Sequence, residues 1–144
     1  MEISEIVSLP AGLDRLVSES EADGFRFVRR LVDDYASGRN RFSGCGEALL
    51  AVYEDGYLIG VGGINSDPYC NDKHSGRVRR LYILKDYRNA GVGRALMEAI
   101  EQHASKSFKV LNLFTDTDAA SRFYVQLGYN LVREEKRTHY KVLS

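Results

Sequence analysis

The sequence has no net charge, no long apolar run, only two cysteines and only three histidines, and each shortage excludes something. Twenty Lys plus Arg balance twenty Asp plus Glu. No global positive field therefore gathers nucleic acid, whose binders are usually lopsidedly basic. No stretch approaches the roughly 20 apolar residues that a membrane span needs. The opening Met1-Glu2-Ile3-Ser4-Glu5 lacks the basic-then-apolar order of a secretory signal. Cys45 and Cys70 lie far apart in polar, turn-like surroundings without a C-x-x-C pairing, and read as reduced thiols of a cytoplasmic protein. His74, His103 and His139 are scattered, with no H-x-x-x-H or Cys/His cluster, so no metal site is expected.

What remains is an ordinary globular composition. A chain of 144 residues suits one domain, 1–144, with a sizeable core and no linker or internal repeat. Glu5–Leu9 reads as a short strand closed by Pro10. Helices are expected over about 13–20 and about 23–36. In the second, Phe25, Val28, Leu31, Val32 and Tyr35 share one face, and Arg29, Arg30 and Asp33 the other. Residues 37–44 carry turn chemistry. The clearest hairpin follows: apolar runs 48–53 and 57–64 around Asp55-Gly56, a pair favoured in two-residue turns. After a second loop over 66–76 come a strand at 78–84, a helix, a strand at 110–115 and a helix over about 118–127 that Gly128 can cap. Two strands, about 129–134 and 139–143, close the chain. The order is that of an α/β sandwich around a mixed sheet.

The most informative stretch is Arg88-Asn89-Ala90-Gly91-Val92-Gly93-Arg94. It lies between the strand residues Arg80-Leu81-Tyr82-Ile83-Leu84 and a helix whose apolar face is Val92, Ala95, Leu96, Ala99, Ile100 and Ala104. A glycine turn that opens a helix leaves several amides unpaired and pointing one way, with the positive end of the helix dipole behind them. That arrangement suits a phosphate or pyrophosphate. Arg88 and Arg94 flank the turn with charge-assisted donors. The plain alternative is an ordinary glycine-containing connection. A dinucleotide fingerprint fits poorly, because Leu96 stands where the third glycine belongs and a hairpin precedes the strand. A P-loop fails because no Gly-Lys-Ser/Thr follows.

A second block, Ala120-Ser121-Arg122-Phe123-Tyr124-Val125-Gln126-Leu127-Gly128-Tyr129, lies downstream. The ordered pair R-x-x-G-x-G and A-x-x-F-Y-x-x-x-G-Y resembles the two main sequence blocks of the GNAT N-acetyltransferase superfamily, over roughly residues 47–144. The resemblance implies a mixed, mostly antiparallel sheet of six to seven strands with about four flanking helices. In it, the parallel neighbours 78–84 and 110–115 splay apart to admit the pantetheine arm of acetyl-CoA. It implies direct transfer of acetyl from acetyl-CoA to a primary amine acceptor, small molecule or peptide. A non-catalytic acyl-CoA-binding or sensory module of the same fold is the alternative. On family grounds a homodimer is expected, through strands near the C-terminus such as those holding Tyr140 and Val142.

The resemblance also distributes roles. Asn89, Ala90, Gly91, Val92, Gly93 and Arg94, with Arg88, would hold the pyrophosphate. Main-chain groups of Leu81, Tyr82 and Ile83 would pair with pantetheine and help stabilise the oxyanion. Tyr124 would protonate the departing thiolate; its plain reading is a packed core tyrosine. Thr117 stands where the family often has Asn against pantetheine, and could instead cap the helix, a job Asp116 or Asp118 could share. The general base is open. Some members carry a glutamate where this chain has Arg77 or a neighbour; Arg77, Arg79 and Arg80 are all basic, and arginine cannot be a base at neutral pH. Asp67, Glu47, a water chain or an amine arriving neutral are the alternatives. Among Arg77, Arg79 and Arg80, at least one should emerge beside the cleft, either solvated or recognising an acidic acceptor or the CoA phosphates. Tyr35, Asn65, Asp67 and Tyr69 are placed on the acceptor side.

Overall fold

In the computed structural model, which describes residues 1–143, seven strands form one sheet in the order β1-β2-β3-β4-β5-β7-β6. Asp55 and Gly56 both take positive φ, 51° and 82°, the twist of a tight hairpin turn, and join β2 (Ala48–Glu54) to β3 (Tyr57–Ser66). β4 (Ser75–Ile83) returns antiparallel to β3. β5 (Val110–Leu113) lies parallel to β4, and β7 (His139–Val142) antiparallel to β5, with β6 (Asn130–Leu131) at the edge.

The glycines β3 carries record which helix covers which face. A Cβ at Gly62 would meet Leu96 and Ile100 of α3 (Val92–Ala104), whereas one at Gly63 would meet Phe42. The apolar stripe of α3, with Leu96, Met97 and Ile100 almost fully buried, therefore covers one face. On the other, α1 (Leu13–Ala22) and α2 (Phe27–Ser37) bury Leu16, Val28 and Leu31. A 3-10 turn, Lys85–Tyr87, leads from β4 to the glycine turn, and α4 (Asp118–Gln126) follows β5. Among the described residues, four α-helices and a mixed sheet with a single parallel pair agree with the fold that the resemblance implies. No described helix is long and apolar enough to cross a membrane.

Boundaries differ where backbone pairing, not side-chain pattern, decides. β1 is Glu2–Glu5, not 5–9: an edge strand that pairs with Leu50–Tyr53 through its main chain, while Ile6 adds one further hydrogen bond, to Leu49 O. α2 starts four residues later than its periodicity suggests, because Gly24 turns left-handed (φ 86°) after α1. β6 shrinks to two residues, although Val132 and Glu134 amides still reach across to Thr138 and Arg137. β4 begins at Ser75, three residues before its apolar run.

Candidate active site

The parallel ladder between β4 and β5 is three pairs long: Ser75 with Val110, Gly76 with Leu111, Arg77 with Asn112. Beyond Arg77, β4 continues for six residues bonded only to β3, so its β5-facing edge from Val78 to Ile83 lies open. The expected main-chain donors and acceptors of Leu81, Tyr82 and Ile83 lie on this stretch. Their side chains are already committed. Leu81 packs toward α3, and the Tyr82 hydroxyl donates to Glu19 Oε2 at 2.7 Å on the opposite face. That bond and burial push the Tyr82 phenol well above its ordinary range.

At the end of β4 the glycine turn takes the form its sequence predicts. Asn89 and Gly91 are left-handed (φ 61° and 83°), and Gly91 is the N-cap of α3. None of the six consecutive amides from Asn89 to Arg94 donates to a described backbone or side-chain acceptor; the first to do so is Ala95, to Gly91 O. The two glycines have different reasons. A Cβ on Gly91 would meet nothing within 4 Å, so its backbone angle is what demands glycine. A Cβ on Gly93 would lie 3.0 Å from Phe123 of α4, so glycine there lets the two helices touch. Arg94 is exposed and pairs with no described acid. Arg88 folds back, its Nε donating to Ile83 O at 2.8 Å and its guanidinium over the Tyr82 ring at 5.1 Å.

The Phe123–Gly93 contact brings the neighbouring Tyr124 to the same region. Tyr124 is 7% exposed and stands edge-on to Phe123 (5.0 Å between ring centres) and Tyr129 (5.6 Å). Its hydroxyl donates to no described residue, yet it is not sealed: among the described residues the one buried side-chain polar atom left without a partner is Arg137 Nε. Burial pushes the phenol well above its ordinary range, so it carries its proton at neutral pH. Thr117 lies two turns away at the head of α4, where its hydroxyl accepts from the Ala120 amide at 3.2 Å. It is the helix cap, without help from Asp116 or Asp118.

The candidates for a base divide clearly. Asp67 is buried in an ion pair with Arg77, Nε to Oδ1 at 3.0 Å, and also accepts from Asn112 and from the Tyr69 amide. Burial alone would raise its pKa, but the hydrogen bonds and the Arg77 charge outweigh it and hold the carboxyl below its ordinary range. Such a carboxylate is a poor proton acceptor. Glu47 accepts from the Gly44 and Ser66 amides and pins two loops. Asn65 pairs with Asn40 in a reciprocal amide contact, and Tyr35 donates to Val7 O.

Three features escape the sequence reading. Arg80 is left-handed (φ 60°) in a bulge where Gly62 faces two residues of β4; the only signal is a second arginine that breaks the alternation. Asn112 links Asp67 to Arg137. His139 is buried between Ser121 (3.0 Å) and Thr138 (2.8 Å), and burial lowers its pKa. His139, Ser121 and Thr117 border an open hollow of about 520 Å³ on the β7 side of β5. The hollow does not include the glycine turn.

The sequence matches the model of the "Acetyltransferase (GNAT) family" over residues 14–129. A protein of Bacillus subtilis (strain 168) named as a candidate acetyltransferase is 36% identical over 63 residues, 43% of this chain and 42% of that one. The spermine/spermidine N(1)-acetyltransferase of the same organism is 29% identical over 87 residues, 56% of this chain and 57% of its own. The matches thus span about half the length of these curated relatives. Among solved structures, a candidate acetyltransferase of Exiguobacterium sp. 255-15 superposes with a TM-score of 0.87. It is 27% identical, covering 98% of this chain and 92% of that one.

Proposed function

Because this chain belongs to the acetyltransferase (GNAT) family, we propose that it moves an acetyl group from acetyl-CoA directly to a primary amine. The observation that carries this reading is the run of six unpaired amides, Asn89 to Arg94, at the head of α3 beside the open edge of β4. Arg94, and the guanidinium nitrogens that Arg88 has left, add charge to a dipole suited to a pyrophosphate. The β5-facing main-chain groups between Val78 and Ile83, apart from the Ile83 carbonyl that Arg88 holds, suit an extended amide-bearing arm. Acetyl-CoA would supply a thioester-activated acetyl group.

The chain's own residues account for the remaining needs. Backbone donors at Leu81 to Ile83 are fixed in a strand and cost no reorganisation as charge develops on the carbonyl oxygen. The new C–N bond forms as the C–S bond breaks, the amine loses a proton to water, and Tyr124 gives a proton to the departing sulfur and regains one from water, so that the proton the amine loses balances the one the thiol gains. A phenol held protonated by burial, with a hydroxyl that has no other partner, suits that donor role. Asp67 is withdrawn as base by Arg77, so an amine that arrives neutral, or a water relay, fits better. The acceptors named for one relative, spermine and spermidine, are amines, which supports the acceptor class.

Exposed Leu131 and Val142 at the far end of the sheet support a homodimer through that edge, and sedimentation equilibrium tests it. The exposed free thiols Cys45 and Cys70 fit a reducing, cytoplasmic setting. Calorimetry with acetyl-CoA, followed by detection of CoA thiol over an amine panel, tests the main reading. Absence of binding at millimolar acetyl-CoA refutes it. Binding without turnover on any amine favours the non-catalytic module.

A further inference from the structure

The parting of β4 from β5 has two faces, and they carry opposite chemistry. On the α3 face stand Leu81, Leu96 and Ile100. The other face receives the arginines. Arg79 pairs with Gly63, whose missing side chain points at Phe42, and cross-strand partners share a face. The bulge then turns Arg80 to that same side, where its guanidinium lies 3.6 Å from Asp34 of α2. Two successive arginines thus emerge together, just beyond the last parallel pair, on the face away from the glycine turn's helix.

These charges are poorly balanced. The Arg79 side chain makes no hydrogen bond or ion pair with a described residue. Asp34 is divided between Arg80 (3.6 Å) and Arg39 (3.5 Å). The Arg80 side chain is only 13% exposed, and its distance to Asp34 is beyond hydrogen-bond range. Burial, with Arg79 and Arg30 nearby, lowers its pKa despite Asp34 and Tyr69. Asp67, another acid on this side, is consumed by Arg77, and Glu19 by the Tyr82 hydroxyl and the Lys85 amide. Half-exposed Tyr69 brings one more cation, with Lys136 Nζ 5.1 Å from its ring centre. A guanidinium taken from water without a full counter-charge is costly, and a non-glycine residue at positive φ adds strain. An incoming anion would offset the first cost, and planar guanidinium groups suit a carboxylate.

Resting on the acetyl-transfer reading, we infer that Arg79 and Arg80 select an acceptor amine that also carries a carboxylate. The two guanidiniums hold the anion while the amine reaches the parting of β4 and β5. The donor occupies the edge served by the glycine turn, so the acceptor comes from the arginine face. A polycationic amine meets like charge there and is disfavoured.

The test uses the full chain and acetyl-CoA. Release of CoA thiol is followed with amino acids, with their carboxamides, and with spermidine. At least a tenfold higher kcat/KM for the acids than for the matching amides is expected, with spermidine the poorest acceptor. Arg79→Gln should raise KM for the acids about tenfold and bring the acid-to-amide ratio toward one. Arg79→Lys, which keeps the charge, should restore part of the ratio. Calorimetry with acetyl-CoA on each variant reports folding and donor binding separately. Amides or spermidine used as well as the acids, an acid preference untouched by Arg79→Gln, or no turnover with any of the three sets overturns the inference. If acetyl-CoA itself fails to bind, the acetyl-transfer reading falls, and this inference with it. Normal donor binding with the wrong acceptor preference removes the inference alone.

Discussion

Arg77 Nε meets Asp67 Oδ1 at 3.0 Å with both side chains almost wholly buried, and the same guanidinium donates to Lys136 O at 2.7 Å. One arginine thereby ties the segment after β3 to the last turn before β7, across the end of the parallel ladder. Removing one partner of such a pair leaves the other charge buried alone. Asp67→Ala should therefore cost about 3–5 kcal/mol. The double variant Asp67→Leu with Arg77→Met should recover much of that loss, because no charge is left stranded. Denaturant melts of the single and double variants check this, and equal losses in both would contradict it.

The same pair sets an acid limit. Asp67 is held below its ordinary carboxyl pKa of 3.8, so the unfolded chain binds its proton more readily than the folded one. Its contribution is complete above about pH 4 and is lost as pH falls through the folded value. In Asp67→Asn that component of the acid unfolding curve should disappear. An unchanged curve would mean the pair is not what acid breaks.

His139 predicts a second, milder dependence. Burial lowers its pKa below 6.5, and its ring nitrogens face the Ser121 and Thr138 hydroxyls. A group whose folded form resists protonation stabilises fully above the unfolded pKa. Stability should thus decline as pH falls below about 6.5, by no more than about 1.4 kcal/mol per pH unit for one proton. Comparison of melts at pH 7.5 and 5.5 for the parent and His139→Gln isolates the term. A slope that persists in the variant assigns it elsewhere.

Local chemistry makes much of this molecule legible in its sequence. Asp55-Gly56 announces its turn because few residue pairs tolerate two positive φ angles in succession. The α3 stripe is strict in period, and Gly91 marks its head. What the sequence hides is long-range or depends on register. Nothing local tells that Asp67 will meet Arg77, or that a loop amide and Asn112 will complete its shell. The bulge at Arg80 arises from pairing against Gly62, and appears in the sequence only as broken alternation. Gly93 is the instructive case. Its spacing suggests room for a phosphate, whereas in three dimensions the space that a Cβ would take is filled by Phe123, and only its unpaired amide is left to face an anion.

That difference between the two glycines is measurable. Gly91→Ala meets no neighbour, but places a side chain at φ 83°, so a stability loss of about 1–2 kcal/mol and weaker acetyl-CoA binding are expected. Gly93→Val drives a branched side chain into Phe123, so its loss should shrink when Phe123→Leu is added. Melts and calorimetry on these three variants, and on Phe123→Leu alone, decide. Failure of Phe123→Leu to relieve Gly93→Val would show that the α3–α4 contact is not the constraint.

Tyr124 separates chemistry from packing cleanly, because its hydroxyl bonds to no described residue. Tyr124→Phe preserves the ring, its edge-on contacts with Phe123 and Tyr129, and the buried volume. With no internal hydrogen bond to lose, the stability change should stay below the ~1 kcal/mol usual for one. If the phenol protonates the leaving thiolate, kcat should nevertheless fall by about 10²- to 10⁴-fold, the span of a general acid. Acetyl-CoA affinity should barely move. The deficit should also be smallest for acyl donors whose thiol leaves easily, since a weakly basic thiolate needs little protonation. Steady-state kinetics with acetyl-CoA and with an activated thioester, calorimetry with acetyl-CoA and a denaturant melt measure all four quantities. Near-parental turnover in Tyr124→Phe would leave the tyrosine as a packing residue and require a different proton donor at the sulfur.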